Sequence, residues 1–67
     1  MANIELLKSK IKQSRLSIVA ICDESGISRG TIYNRLNGIG KFTSDEIVAL
    51  TKVLHLTKRE RDETFLQ

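Results

Sequence analysis

The sequence predicts an all-α protein, a compact five-helix bundle. Its Val, Ile and Leu residues recur at helical rather than alternating spacing. No proline interrupts any of the 67 residues. Hydrophobic residues make up 40% of the chain, enough for a packed core rather than a disordered segment. This length implies one domain, 1–67, with a small core. A single cysteine, Cys22, excludes an internal disulfide, and one Cys with one His disfavours a zinc site. A lone thiol fits a reducing compartment. The opening MANIELLKSK carries Glu5 and Lys8 within its apolar run, so no secretory core forms. No window approaches the roughly 18 apolar residues of a membrane span. The expectation is a soluble, cytoplasmic protein with no membrane association.

The first helix covers 3–14, with Ile4, Leu7 and Ile11 as its apolar stripe. Lys8, Lys12 and Arg15 flank that stripe and either meet phosphates or extend around a core helix. Ser17 is an N-cap for a second helix, 18–24, with Ile21 its clearest core residue and Val19 and Cys22 nearby. Gly26 stops it, since glycine enters the left-handed region without steric cost. Ser28 caps a third helix, about 29–36. Ile32 and Leu36 face inward, and Ile27 closes the turn below them. NGIGK, 37–41, is a loop with two glycines. Thr43 and Glu46 form a capping box that opens a fourth helix, 44–54. It buries Ile47, Leu50 and Leu54, with Val48 and Val53 beside them. Thr57 and Glu60 form a second capping box, opening a last helix, 58–65, before the apolar pair Phe65-Leu66.

On a helical wheel centred on Ile32, Gly30, Tyr33 and Asn34 point away from the core. Thr31 lies partly outward, and Arg29 and Arg35 occupy opposite flanks. So short a helix with so wide a polar face needs a use for that face. Charge supplies a direction. Lys8 to Lys41 holds seven basic residues against Asp23 and Glu24, a balance of +5; the rest holds four basic and six acidic, −2. A basic first half facing a polyanion and a merely solvated surface both fit that balance. Helix, glycine turn, helix is the helix-turn-helix arrangement, whose second helix enters the DNA major groove.

Residues 16–38, LSIVAICDESGISRGTIYNRLNG, resemble the Cro/repressor, or XRE-like, class of helix-turn-helix proteins. The elements shared are the Leu-Ser opening, small Cys22 in mid-helix, and Gly-Ile-Ser at the turn. Thr31-Ile32 inside the third helix and Asn37-Gly38 after it complete them. KFTSDEIVALTKVLHLT and the terminal ETFL are similar to small regulators of Gram-positive temperate phages. The resemblance implies a lambda-repressor-like DNA-binding domain. The chain departs from the class at three positions. Ile18 stands where a phosphate-binding glutamine is common, leaving that contact absent or to Ser17. Gly30 replaces a serine or similar residue, and Arg35 replaces a buried apolar residue, whose packing passes to Leu36.

Carried across by position, Ser28, Arg29, Gly30, Tyr33 and Asn34 face the groove. Arg29 is the candidate for a bidentate contact to guanine, against a phosphate contact or local salt bridge. Asn34 suits adenine or phosphate, or ends the helix in solvent. Tyr33 stacks on a thymine methyl, bonds a phosphate, or packs on Phe42. Gly30 admits close backbone approach to DNA, or reflects drift. Ser17, Ser28, Thr31, Asn37 and Lys41 are phosphate candidates, with helix capping the alternative for Ser28 and Asn37. Arg35 meets a phosphate, or pairs with Asp23 or Glu24. His55 is expected as a half-buried packing residue and Cys22 as a small core residue. No paired carboxylates, activated nucleophile or phosphate-binding glycine loop argue for an enzyme, and no cofactor or metal is expected.

The function expected is a sequence-specific DNA-binding transcription regulator, a Cro-like repressor of phage or prophage origin. Two copies on a pseudo-palindromic operator would extend the few base pairs one unit reads. A weak homodimer, formed on DNA through Phe65 and Leu66, is the expected assembly, although those residues equally suit the core. The alternative is an antirepressor or protein-interaction module, suggested by apolar Ile18 and Val19. RNA binding is the poorer option, since no sheet carries stacking aromatics.

Overall fold

The computed structural model describes residues 2–66. They form α1 (Ile4–Ser14), α2 (Ile18–Ser25), α3 (Arg29–Leu36), α4 (Ser44–Val53) and α5 (Lys58–Phe65), with no strand among the described residues. Every helix opens on a side chain that accepts a first-turn N–H. Ser17 accepts from Ala20, Ser28 from Thr31, Thr43 from Glu46 and Thr57 from Glu60. Each such cap satisfies a donor that the helix itself leaves unpaired, worth about 1 kcal/mol. Both capping boxes close: the Thr43 N–H donates to Glu46 Oε1 at 3.0 Å, and the Thr57 N–H to Glu60 Oε1 at 2.9 Å. Asn3, expected as the first residue of α1, stands outside it as the N-cap and accepts from the Leu6 N–H.

The helix ends are less regular. Gly26, at φ +77°, stops α2 and donates its N–H to the Cys22 carbonyl at 2.9 Å. Two ends place non-glycine residues in the left-handed region, Arg15 at φ +60° and His55 at φ +53°. His55 closes α4 in a Schellman arrangement: its N–H donates to the Lys52 carbonyl, and the Leu56 N–H donates to the Thr51 carbonyl. This corrects the expectation of a half-buried His55, which is exposed. The left-handed reversal swings its side chain outward and returns Leu56 to the core.

Leu7, Ile21, Ile32, Leu50, Val53, Leu54 and Phe65 are the buried apolar residues, drawn from all five helices or their caps. α2 packs on α3 and α4, α1 on α3 and α5, and α4 on α5. Burying one such side chain contributes about 1.5–3 kcal/mol relative to leaving it in water. Phe65 meets Phe42 edge to face, with ring centroids 5.1 Å apart. Of the two residues considered for a dimer contact, Phe65 therefore closes the core, and Leu66 stays exposed. Val19 and Val48, expected near the core, are exposed, because each follows the inward residue by one step and turns away from it. Lys10 of α1 reaches Glu60 of α5 at 2.6 Å. That bond, with the Thr57 contacts, lowers the Glu60 carboxyl from its ordinary 4.5 to about 2.

Candidate nucleic-acid interface

The pairing of α2 with α3 is made by three adjoining residues. Gly26 turns the chain, Ile27 packs against the core, and Ser28 starts α3. Ile32, only 3% exposed, anchors α3, and half-buried Leu36 supports it one turn later. The opposite side of the helix is open: Arg29, Gly30, Tyr33 and Asn34 are all exposed. Phe42 gives its ring to Phe65, leaving Tyr33 outward at 47% exposure. A methyl at Gly30 would meet nothing within 4 Å. Ser28 and Thr31 partner each other, the Ser28 hydroxyl donating to Thr31 Oγ1 at 2.9 Å and accepting the Thr31 N–H at 3.2 Å. Ser28 remains exposed while capping, and Thr31 is half-buried.

α3 also ends in a Schellman arrangement. The Ile39 N–H donates to the Asn34 carbonyl at 2.8 Å, the Gly38 N–H to the Arg35 carbonyl at 3.1 Å, and Gly38 takes φ +77°. Asn37 is thus the C-cap, and its side chain is exposed with Gly38, Ile39, Gly40 and Lys41. At the other end of α3, Ser28 and Thr31 line one shallow depression with Thr43 and Asp45 from the start of α4.

Arg35 behaves differently from its neighbours. Its Nε and Nη2 donate to the two carboxylate oxygens of Glu46, at 3.3 and 3.5 Å, and its Nη1 donates to the Ile39 carbonyl at 3.2 Å. The side chains of Arg35 and Glu46 are 18% and 16% exposed. The expected partners Asp23 and Glu24 are both exposed, and neither takes the ion pair. The reason is position: the guanidinium extends past the end of α3 onto the first turn of α4, not back toward α2.

The Helix-turn-helix family model matches residues 7–61, from Leu7 in α1 to Arg61 in α5. The chain belongs to the XRE-type helix-turn-helix family. This is a family of DNA-binding transcriptional regulators. No curated protein and no solved structure matches the chain.

Ile18, Gly30 and Arg35, the three positions where the resemblance was expected to break, each have a definite place in the fold. Ile18 is half-buried against the core, so it offers no polar reach at the rim, while Ser17 beside it is exposed. Gly30 lies on the open face of α3. Arg35 occupies the inner flank and is neutralised there by Glu46. Sequence reasoning missed Glu46 as a site residue. It was legible only as a capping-box acid, and its second role depends on how α3 and α4 meet. Of the basic residues on α3 and its following loop, Arg29 and Lys41 remain exposed. No metal-holding cluster occurs among the described residues, and no described helix is long and apolar enough to cross a membrane.

Proposed function

We propose that this helix-turn-helix protein is a sequence-specific DNA-binding repressor, Cro-like and of phage or prophage origin, acting in the bacterial cytoplasm. The observation that carries this reading is the open face of α3. Arg29, Gly30, Tyr33 and Asn34 lie outward together while Ile32 holds the helix from behind. A helix so held enters the major groove with its N-terminal residues at base edges. Arg29 takes a guanine edge in a bidentate contact. Tyr33 and Asn34 follow at a thymine methyl and an adenine or phosphate. Ser17, Ser28, Thr31, Asn37 and Lys41 meet phosphates and fix register without reading sequence. Two copies on a pseudo-palindrome supply the specificity that one short helix lacks, and occupancy blocks RNA polymerase. The phage origin rests on the likeness of residues 41–57 and 63–66 to small temperate-phage regulators.

The rival reading, an antirepressor or other protein-interaction module, needs an apolar surface near α2. Ile18 is half-buried against the core, leaving Val19 as the exposed large apolar residue of α2, a small surface for a partner, which favours DNA. The deciding experiment is selection from a random duplex library at several salt concentrations. Enrichment of a short motif repeated with inverted symmetry is the expected result. A folded protein that enriches no motif and retains no duplex even at low salt would refute the proposal.

A further inference from the structure

The α3–α4 loop poses a mechanical problem. It carries Gly38 and Gly40, both at φ +77°, and all five of its residues are exposed, Ile39 included. Glycines there leave the unbound chain many conformations, and a loop that must be ordered on binding weakens binding. Yet this loop is held at one end by the Schellman bonds and in the middle by Arg35. One guanidinium connects three things: the last turn of α3, from which it springs, the Ile39 carbonyl in the loop, and Glu46 in the first turn of α4. Glu46 in turn holds the Thr43 N–H where the loop re-enters helix. The guanidinium lies directly against Gly40, where a side chain would meet it.

We infer that Arg35 is a positioning residue for DNA binding: it does not touch the duplex, but fixes the 37–41 loop so that Lys41 and the loop amides meet a phosphate already in place. This rests on the DNA-binding reading above. Three of its five N–H donors are engaged inside the fold, and its charge is compensated by Glu46. Its two remaining N–H donors belong to a side chain only 18% exposed, and a phosphate drawn to them would bring its negative charge beside Glu46.

The test is a double-mutant cycle between Arg35 and Lys41 on the full chain, read as duplex affinity by fluorescence anisotropy. Loop amide exchange is measured by NMR in parallel. In the wild type, Lys41→Ala is expected to weaken binding roughly 3- to 10-fold and flatten the salt slope by about 1. In the Arg35→Met background the same change should have an effect below about twofold, because groups that act through one another are not additive. Multiplying effects would make Arg35 an independent contact and overturn the inference. Arg35→Lys keeps the charge but cannot hold Glu46 and the Ile39 carbonyl with one planar fork, and should abolish the coupling in the same way; it serves if Arg35→Met does not fold. The Ile39 amide should exchange at least roughly tenfold faster in Arg35→Met, with core helix amides unchanged. An unchanged Ile39 amide overturns the inference whether or not the wild type binds duplex. A released Ile39 amide in a protein that binds no duplex supports the brace and refutes the DNA reading instead.

Discussion

Gly30→Ala is expected to raise stability and lower DNA affinity together. Gly30 is the second residue of α3, and its φ lies outside the left-handed region. An added Cβ meets nothing within 4 Å, so the native backbone accepts alanine without strain. Alanine is better than glycine in a helix interior by about 1 kcal/mol. Position 30 falls in the first turn, where fewer intrahelical bonds are at stake, so the gain should be about 0.5–1 kcal/mol. For a domain of this size that corresponds to roughly 2–8 °C in Tm. The methyl would point outward, beside Arg29 and Tyr33. If the α3 backbone lies against the duplex, the methyl occupies space needed by a base edge or sugar. A tenfold loss of affinity, about 1.4 kcal/mol, is the expected order. Thermal melts by circular dichroism give the first quantity, and anisotropy titration on the selected duplex gives the second. A variant that is more stable and binds as tightly as the wild type would show that position 30 is not against DNA, removing α3's orientation from the mechanism. A variant that is less stable would refute the helical argument itself.

Four further outcomes are expected. Arg29→Ala should cost about 1–3 kcal/mol on the selected site and relax preference at one base position; equal losses on selected and random duplex would place Arg29 on phosphate. His55→Gly should stabilise the fold by about 0.5–1 kcal/mol, because relief of left-handed strain of about 1–2 kcal/mol exceeds the extra chain entropy of glycine; an unchanged or lower melting temperature would refute that balance. Thr64 is fully buried, and its hydroxyl has no hydrogen-bond partner among the described residues, so Thr64→Val should raise stability by about 1 kcal/mol in urea unfolding; a loss would reveal a bond to that hydroxyl. The Glu60 carboxyl lies at about 2 when folded against an ordinary 4.5. The unfolded chain therefore takes up a proton first as pH falls, and the Glu60 contribution, complete above about 4.5, disappears by about 2. Glu60→Gln should lower stability at neutral pH and shallow the acid limb between those values; parallel wild-type and variant profiles would refute this.

The parts of the fold that depend on near neighbours in sequence were open to reading. Ser17, Ser28, Thr43 and Thr57 cap helices because the donors they satisfy lie three residues ahead. Gly26 announces its own left-handed turn. His55 and Arg15 make turns of the same hand without glycine, and nothing in their side chains marks it. There the surrounding packing, Leu56 returning inward in one case and Leu16 in the other, imposes the geometry. Val19 and Val48 were misplaced for a related reason. A helical stripe gives the direction of the core to within one residue's rotation, and only the neighbouring helices decide which edge of the stripe is covered.

The two arginines of α3 show where the limit falls for function. Arg29 and Arg35 share a residue type and a helix, and periodicity assigned both to the flanks of its polar face. Arg29 has no acidic side chain within salt-bridge distance among the described residues and is exposed; Arg35 points at Glu46, eleven positions on, and is largely covered. A cation whose charge is already compensated in the fold neutralises no phosphate and displaces none of the counterions condensed on DNA, so Arg35 should not contribute to the salt dependence, while exposed Arg29 is free to meet the duplex. Arg35 instead ties the loop that carries Lys41 to α4, through the Ile39 carbonyl and Glu46. Counting basic residues along the sequence therefore overestimates the number of cations free to meet phosphate. The correct count requires knowing which carboxylates the fold has already delivered to which cations, and that is a property of how α3 meets α4.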